Sequence, residues 1–138
     1  MSTEKSPHEV IQAFVAAVND QDWVMLEMLI APDFKRHAAE SGPPALSGRD
    51  AFLAFLRQEF RSFPDAEETI EDFLCDRDKI AVRHRFTGTQ CGPLGELPPS
   101  GKPATADYIA IYRTERGMIA EAWVAWDNLS LLCQLGHI

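Results

Sequence analysis

The sequence predicts an α+β domain in which three N-terminal helices pack on a curved antiparallel sheet. Three observations lead there. Apolar residues recur at three- and four-residue spacing through roughly the first 63 positions. From residue 69 onward the apolar period shortens to two. Turn-forming clusters then cut the second half into four strand-length pieces.

The first helix spans Pro7–Asn19. Val10, Phe14 and Val18 stand four apart with Ile11 and Val15 beside them, so one stripe is apolar. Ser6 caps it, Pro7 suits the first helical position, and Glu9 completes an S-x-x-E capping box. A second helix, capped by Asp20 or Asp22, carries Trp23, Leu26, Leu29 and Ile30. Pro32 ends it, because the residue before a proline is pushed out of helical space. Residues 38–48 are rich in Gly, Pro and Ser and read as an eleven-residue loop, a length often found in lids. A third helix starts at Ser47, with Asp50 in its first turn. Phe52, Phe55, Leu56 and Phe60 give it an aromatic face, and Phe63-Pro64-Asp65 closes it.

Residues 69–74 read as a strand, and Asp76-Arg77-Asp78 as a tight turn. Along residues 79–90, Ile80, Val82, His84 and Phe86 share one face, while Ala81, Arg83, Arg85 and Thr87 share the other. Residues 91–102 hold three prolines and three glycines and must be loop. Residues 104–113 and 118–127 form two more strands around a turn at 114–117, and a short terminal helix covers 128–135.

At 138 residues the chain makes one domain, with its core expected over residues 7–136. Acidic residues outnumber basic ones by 21 to 13, for a formal charge of −8. That balance speaks against a nucleic-acid partner, whose phosphates demand a basic face, and against an anionic membrane surface. No apolar run is long enough to span a bilayer. Cys75, Cys91 and Cys133 are odd in number and widely spaced, so a reducing cytoplasm is expected rather than a disulfide framework. Residues 1–7 are polar and lack the apolar core of a secretory signal. The four histidines, at positions 8, 37, 84 and 137, show no short metal-ligand spacing, so no metal is expected. Neither a phosphate-binding G-x-x-x-x-G-K loop nor a G-x-S-x-G nucleophile elbow is present.

An ordered set of short motifs runs along the chain. Ala31-Pro32-Asp33-Phe34 with His37 comes first, then Phe63-Pro64-Asp65, residues 78–83 and Gly88-Thr89. The proline-rich residues 97–102, Ile111-Tyr112-Arg113 and Gly117-Met118-Ile119 follow. Glu121-Ala122-Trp123, Trp126-Asp127 and residues 131–136 complete it. Together they resemble the SnoaL-like polyketide cyclase (ester cyclase) family of the nuclear-transport-factor-2-like superfamily. The resemblance implies a cone-shaped α+β barrel with an apolar pocket between the helices and the concave sheet. It implies no metal, no organic cofactor, and a homodimer or homotetramer. It also implies intramolecular aldol closure of an aromatic polyketide ester, with a histidine and a carboxylate on neighbouring strands moving protons. The family's histidine falls three residues before the arginine of Ile-Tyr-Arg, and its acid directly after the tryptophan of Glu-x-Trp. Here those positions are Ala110 and Val124, fourteen residues apart, a separation suited to cross-strand neighbours. Neither side chain can carry a proton.

Strand alternation then assigns the pocket. If Ala110 and Val124 face the cavity, Tyr108, Tyr112 and Trp126 face it too, and Ala106, Ala110 and Ala122 leave room beside the rings. Phe14 and Phe55 are the helical residues assigned to the same wall. The expected guest is a small, flat hydrophobic molecule. The candidate proton-handling residues are His37, His84 and Asp127. Each also has a structural alternative: His37 can tie down a loop, His84 can be a half-buried contact, and Asp127 can cap the terminal helix. Asp107, Arg113, Arg83 and Arg85 read as an ion-pair network on the convex side, or as an arginine set for an acidic substrate. Three functions stay open. The first is a cofactor-free enzyme with altered chemistry, including positioning-only hydroxylation. The second is an active cyclase or isomerase with His37 or His84 as base. The third is a non-catalytic binding protein.

Overall fold

The computed structural model describes residues 4–38 and 45–138. Four helices and six strands follow in the order α1 (Pro7–Asn19), α2 (Trp23–Leu29), β1 (Ile30–His37), β2 (Leu46–Ser47), α3 (Arg49–Ser62), β3 (Glu67–Asp76), β4 (Lys79–Thr89), β5 (Pro103–Glu115), β6 (Met118–Trp126) and α4 (Asn128–Leu135). The strands make one open sheet ordered β2-β1-β6-β5-β4-β3, an α+β cone that is not closed. All neighbours are antiparallel except β1 and β6, which run parallel.

The two extra strands correct the sequence reading. Residues 30–37 read there as the end of a helix and the start of a loop, because Pro32 removes a ladder donor and hides the alternation. In the structure Pro32 sits inside a register break between Ile30 and Lys35, where a missing N–H is tolerated. The sheet is therefore mixed rather than purely antiparallel. Ser47 belongs to β2 and does not cap α3; Gly48, at φ 96°, takes that place without a side-chain hydrogen bond. The Gly/Pro/Ser-rich loop read over residues 38–48 falls largely outside the described residues.

Elsewhere local chemistry decides the elements as read. Ser6 and Glu9 complete the capping box of α1, and Asp22 caps α2 through the Met25 amide at 3.1 Å. Arg116 and Gly117 both take positive φ in the two-residue turn between β5 and β6. That pairing defines a type I′ hairpin, whose twist matches the strands it joins.

The core lies between α1, α3 and the inward face of β4, β5 and β6. Ile80, Val82, His84 and Phe86 of β4 point inward, as do Ala104, Ala106, Tyr108, Ala110 and Tyr112 of β5. Arg83, Arg85 and Asp107 point outward and pair with one another: Asp107 accepts from Arg85 at 2.9 Å and from Arg83 at 3.4 Å. The long β4–β5 connection is pinned by the fully buried Gln90. Its amide donates to the Gly92 and Pro98 carbonyls, and its oxygen lies 2.7 Å from His137 Nε2. Gly92 is required where it stands, because a Cβ there would collide with the Arg61 carbonyl oxygen.

Candidate functional site

Sheet register builds the site's main wall. Trp126 on β6 pairs with Tyr108 on β5, which pairs with His84 on β4. Three inward side chains therefore stack in a row. The Trp126 and Tyr108 rings lie 4.0 Å apart, and the Tyr108 and His84 rings 4.4 Å apart, each pair within 18° of parallel. Phe86 meets Trp126 edge-on at 5.7 Å. Such offset and edge-on contacts are the favoured geometries for aromatic quadrupoles.

This wall borders a cavity in two compartments. The outer one, about 350 Å³, lies between α3, α4 and the sheet, and is bordered by Phe55, Phe63, Phe86, Leu94, Trp126 and Leu131. The inner one, about 40 Å³, reaches down to Phe14, Tyr108, Tyr112 and Val124. Arg36, Phe55, Glu59 and Trp126 line both, so the compartments meet at these four side chains. The outer volume falls in the range of small-molecule sites, and the inner one holds no more than a few waters or a polar substituent.

The junction is charged. Arg36 projects inward from β1 and is only 8% exposed, its guanidinium 4.7 Å over the Phe55 ring. It donates no hydrogen bond to the described residues. Glu59, on the aromatic face of α3, also has no hydrogen-bond partner among them. Glu68, at the start of β3, is buried and accepts a 2.6 Å hydrogen bond from the Tyr108 hydroxyl. Burial pushes Glu59 up to about 8, helped by the neighbouring Glu68 carboxylate and opposed by Arg36. Burial likewise raises Glu68 to about 7, against the lowering influence of the Tyr108 hydrogen bond and of Arg36. Burial is also the chief reason both tyrosine hydroxyls are held far above their ordinary range, so they remain protonated donors.

The residues named from sequence take these places. Phe14, Phe55, Tyr108, Tyr112, Val124 and Trp126 line the cavity. Ala110 pairs directly with Val124 but is fully buried and is not among the residues lining the cavity. His84 is also fully buried. Its Nε2 lies 2.8 Å from the Tyr112 hydroxyl, its Nδ1 has no hydrogen-bond partner among the described residues, and burial lowers it to about 4, so it is neutral and screened from the cavity by Tyr108. His37 is not brought to the cavity mouth. It lies one residue beyond Arg36 and so faces the opposite side, with Nε2 2.6 Å from Glu121 and its ring stacked on Trp123. Asp127 caps α4, accepting from the Ser130 amide at 3.1 Å.

The charged trio was not named from sequence. A signal existed for Glu59, which continues the apolar stripe of Phe52, Phe55 and Leu56 at helical spacing. Arg36 alternates with the inward Phe34, but only once residues 30–37 are seen as a strand. Glu68 offered no local signal; its burial depends on Tyr108, forty positions away. No cluster of three or more His, Cys, Asp or Glu side chains among the described residues is placed to hold a metal ion.

The chain is thus an open α+β cone with a cavity lined from both helices and sheet. The family model for SnoaL-like polyketide cyclases matches residues 8–135, and the chain belongs to that family. Among solved structures, IdmH of Streptomyces antibioticus, a candidate polyketide cyclase, is 30% identical with a TM-score of 0.85, covering 96% of this chain and 99% of its own. TsrD of Streptomyces laurentii is 29% identical with a TM-score of 0.84, covering 95% of each chain. AclR of Streptomyces galilaeus, a candidate hydroxylase, shares the fold at 20% identity and a TM-score of 0.82, covering 96% of each chain. No curated protein is significantly similar in sequence. No helix among the described residues is long and apolar enough to cross a membrane.

Proposed function

We propose that this polyketide-cyclase-family protein holds a small, flat hydrophobic molecule of polyketide type in the outer compartment, against Trp126 and Phe55, and works on it without a cofactor. One observation carries this: a cavity of about 350 Å³ walled by aromatic rings, whose charged groups gather at its inner end. That arrangement suits a guest with an apolar body and one oxygenated edge. The family's proton-handling positions hold Ala110 and Val124, adjacent across β5 and β6, so a chemistry other than that of the usual histidine–acid pair is the better-supported reading. Assembly into a homodimer or homotetramer belongs to the same proposal, and exposed Ile109, Ile111 and Trp123 on the outward face of β5 and β6 support it.

Titration with 2-naphthol, followed by tryptophan fluorescence and melting temperature, tests the pocket. Saturable quenching that disappears in Trp126→Phe, with thermal stabilisation growing as the logarithm of ligand concentration, is expected. Quenching retained in Trp126→Phe, or no stabilisation at saturating 2-naphthol, contradicts the proposal.

A further inference from the structure

The family's catalytic positions carry hydrocarbon, yet the cavity is not without proton-handling groups. Three ionisable side chains from three separate elements line the inner compartment: Arg36 of β1 and Glu59 of α3, which also border the outer one, and Glu68 of β3. Arg36, which is buried, and Glu59, which is half-buried, have no hydrogen-bond partner among the described residues, although a buried charged group ordinarily has one. Arg36 is over nine-tenths buried and lines both compartments of the cavity. Its planar fork of donors makes no hydrogen bond among the described residues. A guest with an oxygen at that end would supply the missing partner.

We propose that Arg36, Glu59 and Glu68 form a relocated catalytic site that enolises a carbonyl group of the bound guest. The proposal rests on the outer compartment's holding a flat hydrophobic molecule. The roles follow from the contacts. Two carboxyl groups line the same compartment as one buried arginine whose charge acts on both, so the favoured state keeps a single proton on the pair. Tyr108 donates to Glu68, which favours the charge there and leaves the proton on Glu59. Glu68 is thus the base and Glu59 the acid, while Arg36 donates to the carbonyl oxygen. The other titratable groups facing the trio are Tyr108 and Tyr112 of β5. Both are held protonated, and His84 of β4 lies behind them.

The step balances without an oxidant or reductant. Glu68 takes a proton from the carbon beside the carbonyl. The electron pair of the broken C–H bond becomes the new C=C bond. The carbonyl π pair moves to oxygen, which takes the Glu59 proton. Glu68 ends neutral and Glu59 ionised, and proton exchange with water restores the starting state.

The test uses 2-tetralone, a flat bicyclic ketone, in D₂O, with exchange of its α-hydrogens followed by ¹H NMR. Wild-type protein is expected to exchange them faster than buffer, saturably. 2-Naphthol should inhibit with a constant equal to its own Kd, an arm that needs no variant to fold. Glu68→Gln is expected to slow exchange at least ~100-fold, in line with the usual contribution of general base catalysis. It should keep 2-naphthol affinity within about threefold, while His37→Ala leaves both unchanged. Exchange no faster than buffer, exchange insensitive to 2-naphthol, or equal rates in wild type and folded Glu68→Gln overturns the catalytic site. If 2-naphthol binds in those cases, the pocket itself stands. Failure of 2-naphthol to bind at all removes the pocket and the proposal together.

Discussion

Tyr108 and Glu68 meet across a strand that separates them. The Tyr108 hydroxyl on β5 reaches over β4 and donates to Glu68 Oε2 on β3 at 2.6 Å. The same ring stacks on His84 below and on Trp126 beside it. One side chain therefore joins the aromatic wall to the charged end of the cavity, and several expectations follow from that.

Tyr108→Phe keeps the ring and removes only the donor. Loss of a buried hydrogen bond to an ionisable group costs about 1–3 kcal/mol. Urea unfolding should show that loss at neutral pH. Glu68 should also titrate higher, since the Tyr108 bond is what opposes its burial. An unchanged unfolding midpoint would mean the bond contributes nothing.

The pH dependence of stability has a definite sign. Glu59 at about 8 and Glu68 at about 7 stand above an ordinary glutamate near 4.5. The folded chain keeps protons that the unfolded chain releases, so this contribution is whole below about pH 4.5 and is lost as pH rises toward 8. His84 acts in the other direction. Its lowered value of about 4 makes stability fall as pH drops from 6.5 toward 4. The effects oppose one another between about 4.5 and 6.5, and above that only the carboxyls act. Unfolding free energy should therefore decline from pH 6.5 to 8, and Glu59→Gln with Glu68→Gln should flatten the slope. A wild-type profile that is level or rising over that window contradicts the buried pair.

Ala110 and Val124 are partners in register yet differ in surroundings. Ala110 is 0% exposed, so Ala110→His overpacks the core and should cost about 1–3 kcal/mol. Val124 borders open space in the inner compartment, and Val124→Ala should cost only about 1 kcal/mol. Thermal unfolding ranks the two. A larger loss at Val124 would place the void elsewhere.

His37 faces outward onto Glu121 and Trp123, partly exposed to solvent. His37→Ala should change stability by no more than about 1 kcal/mol, since it removes one half-exposed hydrogen bond to Glu121. 2-Naphthol affinity should not move. A tenfold weaker complex would return His37 to the site.

How far the sequence could be read depended on where each signal lies. The helices announced themselves through local chemistry, as Ser6, Glu9 and Asp22 show. The inward faces of β4 and β5 followed from alternation, and the pairing of Ala110 with Val124 from their spacing. β1 was hidden by Pro32, and with it the parallel pairing to β6 and the inward direction of Arg36. Glu68 could not be placed, because what buries it is a tyrosine two strands away. The aromatic wall was visible because strand period is local. The charged lining of the inner compartment was not, because it forms only when β1, α3 and β3 come together around it.

The central claim is that the outer compartment receives a flat guest against Trp126 and Phe55. Intermolecular nuclear Overhauser effects between 2-naphthol and isotopically labelled protein test it most directly. Cross-peaks from the naphthol ring to Trp126, Phe55 and Phe86 are expected. Saturable binding with cross-peaks only to Trp123, Ile109 or Ile111 on the outward face would contradict it.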